Sequence, residues 1–490
     1  MSVFAAALLL YALTCAPGAL WQDSGMYQYR IWHSDIKGGL GLALSHPSYH
    51  ILGIAVRGLP LGEYGRRVNM MSAVFGALTV ANIFLFVLLW TRKNIPAVLS
   101  AVTLAVGWTF WQNSVIAEVY TLYTAIFSLE LIFLLLYFKT EKKLWLYFLA
   151  LCNGLAIANH LWALLPLVCY IILLAWLLFK KKIRAKTILL FIILLMIGAA
   201  PYEYLIIQEL AGPSTFKEVL NSALFGNTWS DAVLNTKITA RIAAENLIYI
   251  FYNFPTPNII FAVLGGIVLY KHPHSKPFSI TFAAITLLFF VFAFRYTVPD
   301  RYAFFIPFYC MVSILIGLGA ERFFQMHPPK KLVIAVFLLS LLPLPVYFAA
   351  PRIAQAKQVD LGTSRSIPYR NQYHYFLTPW KNTENSPQRF AAEALLQTNN
   401  EGIIIADGTT VYPLWYAQTL KGQNNQTRIF SLHGSYKNPS PFPDNERIER
   451  LIKDTHIYVV SPVKGYCPGF ILERYRFEKQ GVLYKMLEKK

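Results

Sequence analysis

The sequence WQDSGMYQYRIWHSD (21–35), continued by SHPSYHILGIAVRGLP (45–60) and GRRVNMMSAVFGALTV (65–80), follows directly on the first apolar run of the chain. It is too polar and too long to be a simple connector. Its aromatics (Trp21, Tyr27, Tyr29, Trp32) and its short apolar piece at 51–56 suit a membrane surface rather than free solvent. The stretch reads as an interfacial loop that carries chemistry. Asp23, the earliest acid, stands just past the end of an expected span, and Arg57, Arg66 and Arg67 follow it. A carboxylate near a cationic cluster at headgroup depth is what attack on a lipid-linked phosphate needs.

The composition around this loop excludes an ordinary soluble globule. Of 490 residues 56% are hydrophobic and only 14% charged, with a mean hydropathy of +0.44. The net charge of +19 does not mark a nucleic-acid binder, because the Lys and Arg residues fall largely in short turns between apolar runs. Cys15, Cys152, Cys169 and Cys310 sit within those runs and Cys467 stands alone in the tail, so no disulfide framework is implied.

About eleven runs are apolar enough for a bilayer core: 3–20, 69–90, 95–110, 119–137, 144–158, 161–179, 188–207, 247–269, 278–294, 302–320 and 332–348. Without a charged region ahead of it, the first reads as an uncleaved span rather than a signal peptide. Basic residues cluster on alternate turns, at Arg92–Lys93, at Lys139, Lys142 and Lys143, at 180–186, at Lys271 and Lys276, and at Arg322, Lys330 and Lys331. The positive-inside rule puts these turns and the N-terminus in the cytoplasm, and an odd number of spans leaves the C-terminus outside. The outer turns are then the 21–68 loop, the junctions at 111–118 and 159–160, the 211–245 loop and 295–301.

After Ala350 the chain turns polar, with prolines and glycines. The tail alternates helical stretches at 388–397, 411–420 and 444–453 with strand-like GIIIAD, RIFSL and HIYVVS, the pattern of a small α/β module. The expected architecture is therefore a polytopic α-helical membrane domain (1–350) with a catalytic first outer loop and a second outer loop. An extracytoplasmic α/β domain (351–490) follows it. The lone sequon at Asn425 carries little information.

No P-loop, dinucleotide-binding glycine pattern, HExxH or paired CxxC is present, so the signal is positional. Asp23, His46, His50, Glu118, His160, Asp300 and Arg301 all map to outer ends of helices, and ionisable groups beside spans are functional candidates. Tyr49, Tyr120, Tyr123, Asn159 and Trp162 would add hydrogen bonds and stacking surface for a sugar. Each has a plainer role open to it: Asp23 as a solvated carboxylate, Glu118 as a helix cap, His160 as a helix-end residue, Asp300 and Arg301 as a pair across a tight turn. Their joint placement on one face favours a shared cavity.

The order of motifs resembles the protein O-mannosyltransferase-like branch of the multi-pass GT-C glycosyltransferases. The matching pieces are WQDSG (21–25), SHPSYH (45–50), RVNMMSAVFGALTV (67–80), FWQNSVIAEVYTLY (110–123), GLAIANHLWALLP (154–166), YTVPDRYAFFIPF (296–308) and, in the tail, IIIADGTTVYPLWYAQTL (403–420). Two departures stand out: Met26 occupies the place of a frequent second acid, and His50 that of the last proline of a His-Pro motif.

The resemblance implies a GT-C-like fold and inverting transfer of a monosaccharide, mannose by the branch, from a polyprenyl-phosphate donor to an acceptor hydroxyl, protein Ser or Thr by the branch. Asp23 is then the general base, with Arg66, Arg67 or Arg301 stabilising the leaving phosphate. His46, Tyr49, His50, Asn69, Glu118, Tyr120, Asn159, His160 and Asp300 belong around the sugar or acceptor. Partners are the bilayer, the lipid-linked donor and an acceptor protein or glycan; a divalent metal is neither required nor excluded. The expected location is a bacterial inner membrane, or the endoplasmic reticulum in a eukaryote. The alternatives are transfer to a glycan or lipid, a non-catalytic scaffold, and a transporter or flippase, toward which only YNFPTPN (252–258) leans.

Overall fold

A computed structural model of the chain describes residues 2–489 except 227–228, 272–275, 299, 363–364, 400, 424–425 and 433–441, so the sequon at Asn425 lies outside the described residues. Each apolar run is largely helical, although residues 15–20 of the first are not. Among the described residues, six helices are long and apolar enough to cross a membrane alone: Tyr64–Thr91, Tyr120–Thr140, Leu161–Phe179, Ala185–Leu210, Lys276–Arg295 and Arg301–Phe324. Three bent pairs raise the number to as many as nine: Asn94–Ala105 with Trp108–Ser114, Ala240–Asn253 with Pro257–Lys271, and Lys330–Ser340 with Pro343–Ala356. Val3–Thr14 and Leu144–Ile157 are shorter than the expected count of eleven requires.

The first helix, α1 (Ser2–Thr14), stops well before the expected end at residue 20, because Pro17 and Gly18 follow. Its 13 residues rise ~20 Å of a ~30 Å core. The chain continues from Cys15 to Trp21 as buried, irregular backbone. Buried peptide groups need partners, and side chains supply them. Asn69 Nδ2 donates to the carbonyls of Ala16 and Gly18, both at 3.1 Å. Gln28 Nε2 donates to Gly18 O at 3.0 Å and to Asn69 Oδ1 at 2.9 Å, while Gln28 Oε1 accepts from the Leu20 N–H at 3.2 Å.

The outer loop is itself helical. Trp21 caps α2 (Gln22–Trp32), His46 caps α3 (Pro47–Arg57), and Glu63 caps the long α4 (Tyr64–Thr91) by accepting from the Arg66 N–H at 2.9 Å. The bend within YNFPTPN turns through 105°, as two prolines without N–H groups dictate. The groups it frees are spoken for. Asn253 Oδ1 accepts from the Thr109 N–H at 3.0 Å, and Tyr347 OH accepts from the Trp108 N–H at 3.0 Å while reaching the Asn253 carbonyl at 3.2 Å. Two helix breaks thus complete each other.

The last bent pair runs to Ala356, past the change in composition. Beyond it, β1 (Ile403–Ala406), β2 (Arg428–Ser431), β3 (Ile457–Val459), β4 (Tyr475–Gln480) and β5 (Leu483–Glu488) form a sheet in the order β2-β1-β3-β5-β4. β1 pairs parallel with both neighbours and is buried throughout, which is why it reads as an unbroken IIIA run. This module packs directly on the membrane part. The Lys381 N–H donates to Thr14 O at 2.8 Å, the Gln22 N–H to Thr409 O at 3.2 Å, and Tyr252 OH to Leu377 O at 2.8 Å.

Candidate active site

Asp23 lies in the first turn of α2, and the geometry of that turn is imposed from outside the helix. The indole of Trp21 donates to Ser386 Oγ at 3.0 Å, anchoring the helix start to the C-terminal module. Gln22 is held at φ 52°, a left-handed value that a non-glycine residue adopts only under constraint. Gly25 has no alternative, since a Cβ there would stand 2.4 Å from the Leu20 carbonyl oxygen and 3.0 Å from Tyr412 Cβ. The DSG tripeptide therefore works as a unit: Gly25 lets the chain pass, Ser24 points to Glu118, and Asp23 faces a cavity.

That cavity measures about 310 Å³, within the ~300–1,000 Å³ range of small-ligand sites. Asp23, Glu118 and Asp300 line it, with His46, His160 and Tyr120. These six come from five separate stretches of sequence. The tail adds Tyr375 and Phe376 to the wall, from the helix Gln372–Leu377. Among the described residues, no lysine or arginine lines the cavity, and no three His, Cys, Asp or Glu residues are grouped to hold a metal ion.

Ser24 Oγ donates to Glu118 Oε1 at 2.9 Å, and Ser72 Oγ meets the Glu118 peptide at both ends, accepting from N–H and donating to C=O at 3.1 Å. The second carboxyl that Met26 fails to provide beside Asp23 thus arrives from another helix junction. Burial pushes the Glu118 pKa well up, and the Asp23 charge adds to this. Asp23 is exposed to the cavity. Crowding protein on its other sides, and then the Asp300 carboxylate, push its pKa up to about 7. Asp300 is raised by burial.

His46 sits at φ 50°, ψ 50° ahead of Pro47. Its Nδ1 is 2.6 Å from Asn159 O, and Asn159 in turn donates from Nδ2 to Val119 O at 2.9 Å. His160 caps the turn Leu161–Ala163, its Nδ1 accepting from the Trp162 N–H at 3.2 Å. The two imidazoles stack with centroids 5.2 Å apart, and Tyr120 stacks on Trp162 at 5.0 Å.

The other expected site residues stand elsewhere. Tyr49 and His50 are fully buried behind the wall, their rings 5.7 and 5.6 Å from that of Tyr27. Asn159 supports His46, and Asn69 supports the irregular 15–21 segment. Arg66 is exposed. Arg67 spends its guanidinium on the carbonyls of Arg57, at 2.9 Å, and Leu59. Arg301 does not pair with Asp300; it pairs with Glu245 and donates to Asn246 Oδ1 at 3.1 Å. Sequence reasoning missed Ser24, Tyr27, Gln28 and the tail's Tyr375 and Phe376. Only Ser24 had a signal, its place inside the DSG motif.

Residues 39–187 match the family described as "Protein O-mannosyl-transferase TMEM260 N-terminal domain". The fold is that of ArnT from Cupriavidus metallidurans, solved bound to undecaprenyl phosphate: TM-score 0.60 at 13% identity, covering 99% of this chain and 97% of that one. Over residues 39–187 the chain is thus similar to a protein O-mannosyltransferase N-terminal domain, and over nearly its whole length it has the fold of ArnT. The Archaeoglobus fulgidus oligosaccharyltransferase, solved with zinc and sulfate, is also similar, with a TM-score of 0.48 at 13% identity over 93% of this chain and 67% of that one. The family match takes in His46, Glu118 and His160 of this chain, and Asp23 and Asp300 lie outside the matched residues.

Proposed function

We propose that this chain is a glycosyltransferase that moves a mannosyl residue from a polyprenyl-phosphate donor to a Ser or Thr hydroxyl of a protein at the outer membrane face. The observation that carries the reading is the place of Asp23: a carboxylate exposed to the cavity beside Glu118 and Asp300, with its pKa pushed up to about 7 by the surrounding protein and then by the Asp300 carboxylate. Such a group is charged enough to accept a proton and weak enough as a base to release it. The acceptor oxygen attacks the anomeric carbon as its proton passes to Asp23. The bond to the phosphate oxygen breaks on the opposite face, its electrons leaving with the polyprenyl phosphate, and the configuration inverts.

The leaving phosphate needs charge stabilisation rather than an acid. Arg301 directly follows the lining residue Asp300, and exchanging Glu245 for phosphate oxygens would serve it. A groove of about 510 Å³ between α1 and the helix Asn94–Ala105 suits an isoprenoid chain. Most of the lining residues come from turns that the charge pattern puts outside, which supports a cytoplasmic N-terminus and an outer C-terminal domain. The setting would be a bacterial inner membrane or, in a eukaryote, the endoplasmic reticulum.

The test is release of polyprenyl phosphate from radiolabelled polyprenyl-phosphate mannose by purified protein given secreted-compartment acceptors. Label should reach protein with the wild type and fall by orders of magnitude with Asp23→Asn. Undiminished turnover in that variant would move the base to another residue, first Glu118; label reaching lipid or glycan instead would replace the acceptor.

A further inference from the structure

The histidine pair differs from a packed core pair in what each ring has left to offer. At His46 the partner of Nδ1 is a carbonyl, which only accepts, so Nδ1 carries the hydrogen. At His160 the partner of Nδ1 is a backbone N–H, which only donates, so Nδ1 carries the lone pair. In the neutral rings the remaining nitrogens are then opposite in kind: His46 Nε2 is a bare acceptor and His160 Nε2–H a donor. Among the described residues neither has a protein partner, and both side chains line the cavity. His50 makes the contrast, because its Nε2 is also unpartnered but sealed in the core.

The surroundings hold this arrangement. The left-handed backbone at His46, directly before a proline, is strained, and such strain persists where neighbours over-determine it. Here they are the bond to Asn159, the near-perpendicular Tyr27 ring with its centroid 6.0 Å away, and the stacked His160 ring. Burial lowers both imidazole pKa values, to about 4 for His46, and keeps the rings neutral.

We propose that His46 and His160 read two hydroxyls of the glycosyl ring, one donating to His46 Nε2 and the other accepting from His160 Nε2–H. This rests on the lipid-linked sugar being the donor, not on that sugar being mannose. It makes the pair a specificity element, since a site built to hydrogen-bond a hydroxyl rejects an analogue lacking it.

Asparagine separates the two ends of each ring. In His46→Asn the amide N–H2 still reaches Asn159 O, and asparagine tolerates the left-handed backbone. In His160→Asn the amide oxygen still caps the Trp162 N–H. Both variants lose only the Nε2 function. Each should keep the wild-type thermal midpoint within a few degrees and raise KM for polyprenyl-phosphate mannose about tenfold. Among monodeoxy donors, one should be discriminated against by the wild type and not by His46→Asn, and another not by His160→Asn.

Variants as active as the wild type, or deoxy losses that simply add to theirs, would overturn the proposal. Tautomers give a readout apart from turnover: ¹⁵N-histidine spectra of the protein in bilayers should show His46 protonated at Nδ1 and His160 at Nε2. Like tautomers, or an imidazolium at neutral pH, would also overturn it. If the wild type turns over no lipid-linked sugar, the donor reading fails instead, and the proposed hydroxyl contacts fail with it.

Discussion

Ser24 and Glu118, 94 residues apart in sequence, share a 2.9 Å hydrogen bond in which the serine hydroxyl donates to the carboxyl. It ties the loop after the first helix to the junction before the span Tyr120–Thr140, so two motifs become one wall. Ser24→Ala removes the donor and should cost about 1–3 kcal/mol, with turnover reduced roughly tenfold. Glu118→Gln keeps an acceptor for Ser24 and should retain the wild-type thermal midpoint. Calorimetry and kcat/KM on both variants check this; an inert Glu118→Gln beside a healthy Ser24→Ala would make the carboxyl itself indispensable.

Activity should follow the ionised fraction of Asp23, rising with pH to a plateau above about 7. Asp300 is the second cause of that raised value, and removing a like charge favours the ionised form. Asp300→Asn should therefore shift the acidic limb of the kcat/KM profile to lower pH. The same shift sets a stability trend. The folded pKa lies above the unfolded value of about 3.9, so the folded state is penalised as pH rises from about 4 through 7. Asp23→Asn should remove that penalty and melt higher than the wild type above neutrality. An unmoved limb in Asp300→Asn would assign the titration to another group.

Asn69 is wholly buried, and its amide serves three backbone or side-chain partners around the irregular 15–21 segment. Asn69→Ala strands those groups and should destabilise by about 2–4 kcal/mol, with little change in KM for whatever enzyme survives. Thermal unfolding with Michaelis kinetics decides; a raised KM at unchanged stability would return Asn69 to the substrate.

Tyr375 and Phe376 reach the cavity from the C-terminal module. Replacing both with alanine opens the wall, and lost aromatic contacts of about 1–1.5 kcal/mol correspond to roughly a tenfold rise in acceptor KM. Unchanged kinetics with every acceptor would make the module a support rather than part of the site.

Much of this was legible in the linear chain. Apolar runs long enough for a bilayer announced helices, and the buried parallel strand Ile403–Ala406 announced itself by having no polar face. Asp23, His46, Glu118, His160 and Asp300 stood out because ionisable groups at helix ends are costly to keep. Less legible were Arg66 and Arg67, whose charge suggested a phosphate although neither lines the cavity and Arg67 is spent on backbone carbonyls. The short first helix was hidden too, because apolar residues 15–20 continue the pattern although Pro17 ends the hydrogen-bond ladder.

By itself the sequence determined the helical membrane architecture, the α/β tail and the shortlist of chemical groups, since these follow from hydropathy and residue type over short windows. Only the tertiary structure decided which groups share a cavity, which are spent on backbone carbonyls, and that the tail supplies part of the wall. Those outcomes depend on distances of about 3 Å between residues hundreds of positions apart, such as Trp21 and Ser386 or Gln22 and Thr409. No local pattern encodes such distances; packing sets them.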